Sequence, residues 1–352
     1  MNTSNLRRYM VRLCACSMLA GCAQAPTAVN PLGVSGSVAH AGSVVHSDAA
    51  RLPWSHATFT RRDHGRSWML ADAKGKDLVY VSDEGTMDVY AYSYPDGTLE
   101  GTLTGFVEPG GLCADAKGRV FITDVFASTI AEYAHGAANP TRTLSDRHGR
   151  LPNGCAVDPV TGNLAVTDFG SDRGCGMEGC SRGEVAIYRG ARGRPAYHRA
   201  MFHPYECGYD AQGNLFVDGM NKGLSTFAFG ELPRSGAPFV KIQLNQSFGI
   251  PGGVRWDGTD VAVGDVYGSV IYRFAIDGAA GTEVGSTPLS GTDGVWDFWL
   301  QNGIAIAPNA NQAGSGSSSN VLLYDYPSGG TPVGTIGGNT VEPVSAAVSL
   351  AH

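Results

Sequence analysis

The sequence predicts an all-β fold: a six-bladed β-propeller of four-stranded antiparallel blades, with the C-terminal strand closing the ring. Three observations predict it. A short apolar run with a polar or turn-forming end occurs six times, as KDLVYVSD (76–83), GRVFITD (118–124), GNLAVTD (162–168), GNLFVDG (213–219), TDVAVGD (259–265) and NGIAIAP (302–308). The ends recur every 41 to 51 residues, the period of a four-stranded blade. Glycine, at 49 of 352 residues, is about twice its usual share, which suits tight turns between short strands and disfavours long helices.

The strand grammar is legible within one copy. In GGLCADAKGRVFITD a short strand meets Asp115-Ala116-Lys117-Gly118, with Asp first and Gly fourth as a type I turn prefers, and a second strand follows. STIAEYAHG and PTRTL supply the third and fourth strands. The outer halves of the first and last copies match, YSYPDGTLEGTL from Tyr92 against YDYPSGGTPVGTI from Tyr324. One blade alone leaves two apolar faces bare, so the copies must pack side by side in a ring. The ring needs a clasp. VEPVSAAVSL (341–350) resembles the first strand of a copy, as in VEPGGLCAD (107–115), whereas SWMLADAKGKD before the first copy is a poor one. The tail is therefore expected as the innermost strand of the blade begun by residues 76–104.

Residues 1–21 have the layout of an export signal, with Arg7, Arg8 and Arg12, an apolar stretch from Leu13 to Leu19, and small residues. That stretch is too short to remain as a membrane span. Leu19-Ala20-Gly21-Cys22 resembles the bacterial lipobox, which implies cleavage before Cys22 and its acylation, palmitate included, as a stable anchor. Ala23 in place of Asp then implies the outer membrane of the cell envelope. Residues 22–50 read as a flexible tether rich in Ala, Ser, Gly, Val and Pro, residues 51–66 as a lead-in, and 67–352 as the propeller.

The formal charge is −7, and loss of a leader with three arginines and no acid would leave −10. A surface so acidic disfavours nucleic acid and anionic lipid, leaving the lipid anchor as the only membrane contact, and a monomer is expected. Among the cysteines outside the leader, Cys175 and Cys180 in CGMEGC are spaced to close a small disulfide loop, with a metal pair as the competing reading. Cys113, Cys155 and Cys207 lie in strand-like stretches and read as buried thiols.

The repeats resemble NHL-type six-bladed propellers, related in outline to the SMP-30/gluconolactonase group, over about Ser67 to Leu350. Such propellers serve as binding platforms, lactonases and lyases, so the fold alone selects no activity. In the gluconolactonase-like group a divalent metal sits at the central mouth on Glu, Asn and Asp side chains, one of them the Asn of a Pro-Asn-Gly turn. Asn153 matches that element, and Glu206 and Asp297 lie at comparable turns, so the resemblance implies Ca²⁺ or another divalent ion there. Gly110 and Gly252 depart from the pattern, and the competing reading is a turn-stabilising Asn with solvated acids.

Other motifs are better explained by architecture. Asp83, Asp124, Asp168 and Asp265 close strands, where an Asp caps the following turn through backbone N–H groups, while Asp218 sits one place early. Gly174-Cys175-Gly176-Met177-Glu178-Gly179 spells G-x-G-x-x-G but leads into a strand, GEVAIY, and so is no dinucleotide site. Serine-hydrolase, zincin and P-loop signatures are absent. His198 and His203 read as surface or packing groups. Loops before the first strand and between the second and third share one face, which receives the insertions at 169–183 and 309–320. Of Tyr205, Trp256, Trp296, Phe298 and Trp299, most are expected to pack between blades, with Tyr205 and Trp296 proposed for the ligand face. The expected function is an anchored lipoprotein that binds an envelope protein, peptide or glycan; the alternative is a metal-dependent lactonase or lyase.

Overall fold

The computed structural model describes residues 65–147, 150–171, 182–222, 226–310 and 319–352. The leader, Cys22, the tether and the Cys175/Cys180 pair lie outside the described residues, as does most of each expected loop insertion.

Among the described residues, twenty-five strands form five sheets. The first sheet holds β1 (Trp68–Met69), β2 (Leu78–Asp83), β3 (Asp88–Ser93) and β4 (Leu99–Leu103). The next two are meanders: β5 (Pro109–Ala114), β6 (Val120–Asp124), β7 (Thr129–Tyr133) and β8 (Arg142–Ser145), then β9 (Arg150–Val157), β10 (Leu164–Ser171), β11 (Glu184–Tyr188) and β12 (Ala196–His198). The fourth joins β13 (His203–Tyr209), β14 (Leu215–Met220), β15 (Phe227–Leu232) and β16 (Val240–Leu244) to β17 (Pro251–Trp256), β18 (Val261–Asp265), β19 (Val270–Asp277) and β20 (Ala280–Pro288). The last holds β21 (Trp299–Gln301), β22 (Ile304–Asn309), β23 (Asn320–Asp325) and β24 (Gly334–Ile336). The final strand of the chain, β25 (Pro343–Ser349), pairs antiparallel with β2 from Leu78↔Ser349 to Asp83↔Pro343, placing it at the inner edge of the first sheet. The weak lead-in has a different place: β1 pairs with β4 at the outer edge.

Six separate four-stranded blades were expected, and five sheets are found. The difference lies between the fourth and fifth repeats. Strands β19 and β20 are extended, and the start of β20 runs parallel to β16 with Gln243 opposite Ala280 and Leu244 opposite Gly281. Gly281 permits the approach, because a Cβ there would stand 2.5 Å from Leu244 Cδ2. Two meanders thus share one eight-stranded sheet through their outer edges.

The first strands of successive meanders neighbour one another in chain order, β5 beside β9, then β13, β17 and β21, with β21 beside β25 and β25 beside β5. This closes a propeller-like ring. Its core is divided among the sheet interfaces, with Tyr80, Phe121, Tyr188, Phe229, Phe274 and Tyr324 among the largest fully buried side chains. Trp299 packs against three of the apolar clusters, which sets it across the middle of the ring.

One device ties the first three repeats to their neighbours, and a second fixes the entry to the inner strand within a sheet. The hydroxyl before the strand-end Asp donates to a carbonyl of the next inner strand: Ser82 Oγ to Gly110 O at 2.6 Å, Thr123 Oγ1 to Asn153 O at 2.7 Å and Thr167 Oγ1 to Tyr205 O at 2.6 Å. The strand-end Asp itself accepts backbone N–H groups. Asp83 takes those of Thr86, Val341 and Glu342, Asp124 those of Val107 and Glu108, and Asp265 those of Gly249, Ile250 and Gly268. The expected cap of the following turn is made by Asp83 and Asp265, through Thr86 N and Gly268 N, while the bonds of Asp124 go to the turn that leads into the inner strand and Asp168 makes neither among the described residues.

Cys113 and Cys155, read from sequence as buried thiols, form a disulfide with Cα atoms 5.7 Å apart. They occupy adjacent inner strands β5 and β9, a juxtaposition that only the ring order creates. Cys207 is free and buried, and burial pushes its thiol well above the usual range.

Candidate functional site

At the centre of the ring the inner strands bring together a layer of polar side chains. Asn153 on β9 is half-buried, and its Nδ2 donates to Tyr205 O at 2.8 Å and to Glu206 Oε1 at 3.1 Å. Gly154 makes room for this pair, because a Cβ on it would lie 2.1 Å from Glu206 Oε2. Glu206 is buried on β13, and its Oε2 has no hydrogen-bond partner among the described residues.

Asp297, just before β21, is differently employed. Its Oδ2 accepts from Arg255 Nη2 and from Ser345 Oγ, each at 2.7 Å, and its Oδ1 accepts from Phe298 N at 2.8 Å. Ser345 on β25 in turn accepts from Leu112 N at 2.9 Å, and Arg255 on β17 donates through Nη1 to Val254 O and Cys207 O. One continuous network therefore runs from β5 through β25 and Asp297 to β17 and β13. Arg255 also stands over the Trp299 ring, 5.3 Å from its centroid.

Sequence reasoning missed Arg255, Ser345 and the role of Asp218. Asp218 on β14 fills the place where earlier repeats carry Ser82, Thr123 and Thr167. Its Oδ1 accepts Glu206 N at 2.8 Å, as Thr167 Oγ1 accepts Gly154 N, while its Oδ2 has no partner among the described residues. The displaced Asp of GNLFVDG was the available signal, and an arginine inside the apolar strand PGGVRW was the other.

Three buried carboxyls with one guanidinium make ionisation costly. Burial, with the charge of Asp297 beside it, pushes Glu206 well above the usual carboxylate range. Burial pushes Asp218 up to about 8, against the bond from Glu206 N. Asp297 is also raised by burial, with Arg255 opposing. Burial thus shifts Asp218 towards its protonated form. The three residues expected as metal ligands divide: Asn153 and Glu206 are brought side by side, whereas the oxygens of Asp297 are engaged by Arg255, Ser345 and Phe298. An orphaned Glu206 oxygen fits an ion; an ion-paired Asp297 does not. Among the described residues no group of three His, Cys, Asp or Glu side chains is placed to hold a metal.

The aromatic residues separate as well. Phe298 is fully buried, and half-buried Trp256 and Trp299 pack against the apolar clusters. Tyr205 is itself buried and sits edge-on to Phe169 with centroids 4.9 Å apart, whereas Trp296 is half-buried and edge-on to Tyr267 at 6.4 Å. Both lie at the leading ends of inner strands. His203 stacks on Phe169 and its Nδ1 lies 3.0 Å from Phe169 O, a packing role.

Solved structures carry the same arrangement. A chain of a nidogen/laminin complex matches 78% of this chain and 99% of its own length at a TM-score of 0.60 and 15% identity. The fold is a β-propeller. A protein of unknown function from Bacteroides caccae is similar over the same 78%, and over 99% of its own length, at a TM-score of 0.57 and 13% identity. No known family matches the sequence, and no curated protein is similar to it. At such identities the likeness to solved propellers concerns the fold, and function must be argued from the site.

Proposed function

We propose that the protein is an exported lipoprotein, anchored through acylated Cys22, whose NHL-type propeller counts as six blades with the fourth and fifth fused at their outer edges. It binds a protein, peptide or glycan of the bacterial envelope through the face that carries Tyr205 and Trp296. The observation that carries this reading is the pair of edge-to-face aromatic contacts, Tyr205 on Phe169 and Trp296 on Tyr267, at the leading ends of two inner strands. Aromatic side chains offer large contact area with a polar tip, the chemistry of peptide and sugar platforms. The nidogen/laminin structure is of a complex, and a propeller acting as a binding platform accords with it.

Photo-crosslinking in intact envelopes tests the proposal. A cross-linker at Tyr205 or Trp296 should capture the same partner, and one at Lys117, in the turn between β5 and β6 at the opposite ends of those strands, should not. Equal capture at Lys117 would refute the face. Mass spectrometry of the mature N-terminus, with Cys22→Ala as the control, tests the anchor.

The second reading is a metal-dependent lactonase or lyase of the SMP-30 type, favoured by the unpartnered Glu206 Oε2 beside Asn153. Elemental analysis of the full chain with Asn153→Ala and Glu206→Gln decides it: a stoichiometric ion lost in both variants supports it, and no ion ends it.

A further inference from the structure

Asp168 breaks the rule its counterparts obey. Asp83, Asp124 and Asp265 each bond backbone N–H groups, but both oxygens of Asp168 are fully buried and have no hydrogen-bond partner among the described residues. The cause is local. β9 and β10 continue pairing past Asp168 to Ser171↔Arg150, with two shifts of register, and the backbone N–H of Arg150 goes to Arg147 O at 2.9 Å.

What faces Asp168 is another carboxyl. Asp146, just beyond β8, is held there by its backbone N–H to Ser128 O at 3.0 Å and by the hydroxyl of Tyr197 donating to Oδ1. Its own Oδ2 is buried and without a partner among the described residues, and the two carboxyls lie within hydrogen-bonding reach. Nearby cations do not neutralise them by direct contact. Arg150 Nη2 and Arg147 Nη1 bond Glu184 Oε2 at 2.6 and 3.3 Å, Arg150 Nη1 donates to Arg182 O, and the Arg147 guanidinium stacks on Tyr197. Burial and the charge of Asp146 push Asp168 well above the carboxylate range.

We propose that Asp146 and Asp168 hold a hard divalent cation, Ca²⁺ in class, which joins the end of β8 to β10 of the next sheet. Three buried carboxylate oxygens lack partners among the described residues. A proton shared between the two groups can serve only one contact between them, leaving an Asp168 oxygen bare, whereas a cation can be ligated by all three. The donors are all oxygen, the set that Ca²⁺ accepts with water completing its shell. With only two carboxylates the affinity belongs to the weak range of extracellular modules, about 10⁻⁴ to 10⁻³ M. This site is separate from Asn153 and Glu206.

The test is thermal unfolding of the full chain, stripped with a chelator and titrated with CaCl₂ or MgCl₂. With calcium about 100-fold above its dissociation constant, the midpoint should rise by about 5 °C. In a Glu206→Gln background, which removes the other candidate ion site, Asp168→Asn and Asp146→Asn should each abolish the rise that Glu206→Gln alone retains. If Asp168→Asn does not fold, Asp146→Asn carries the test, since that residue is only half-buried. No calcium response in Glu206→Gln, or one that survives an added Asp146 or Asp168 substitution, overturns the proposal. So does a midpoint raised by Asp168→Asn with the wild type indifferent to calcium, the result expected of a shared proton.

Discussion

Arg255 meets Asp297 at 2.7 Å with both side chains almost withdrawn from solvent, and the same carboxylate oxygen holds Ser345 of the last strand. Removing one partner of such a pair strands the other. Arg255→Met should cost about 3 to 5 kcal/mol, far more than loss of an exposed ion pair. Adding Asp297→Asn should restore part of that loss. Urea unfolding of the four members of the cycle measures the coupling.

Asp218 predicts a dependence of stability on pH. Its carboxyl is raised from an ordinary value of 3.8 to about 8. Between these values the folded chain keeps a proton that the unfolded chain has released, so the stabilisation present below the lower value is lost as pH rises through the higher one. The slope from this group reaches at most about 1.4 kcal/mol per pH unit, and Glu206, raised in the same direction, adds to it. Asp218→Asn should flatten the profile between pH 5 and 8 by roughly that slope. A parallel profile in the variant would refute the assignment.

The bridge between Cys113 and Cys155 spans 42 positions of sequence. Closing a loop of that length in the unfolded chain corresponds to about 4 kcal/mol. The Cys113→Ala/Cys155→Ala variant should lose a comparable amount, and reductant should lower the unfolding midpoint of the wild type by more than that of the variant.

Thr167 Oγ1 accepts from Gly154 N at 2.9 Å and donates its one proton to Tyr205 O at 2.6 Å. Valine has its shape and none of its bonds. Thr167→Val should cost about 1 to 3 kcal/mol for the backbone groups left bare, while Thr167→Ser should cost less. Chemical denaturation of both variants separates the hydrogen bonds from the methyl group.

The repeat was legible because strand, turn and strand-end signals are local. DAKG, TGN and AQGN spell turns in any context, and the likeness of VEPVSAAVSL to VEPGGLCAD placed the closing strand. The parallel pairing of β16 with β20 was not legible, since it depends on two outer edges meeting at Gly281. The disulfide was hidden for the same reason: Cys113 and Cys155 look alike in their own repeats and become partners only when the repeats stand next to each other. In the central layer, Asn153, Glu206 and Asp297 could be named from their turns. The arginine that neutralises Asp297 could not, because its reach across the ring is a property of the assembled sheets.

The position of β25 also has a consequence in time. The first sheet lacks its innermost strand until Pro343–Ser349 have been made, so a chain released N-terminus first is an open, unsealed array until they emerge. Pairing ends of a chain so far apart in sequence is slow. A threadable state therefore persists through synthesis, and folding is committed only by the last strand to appear.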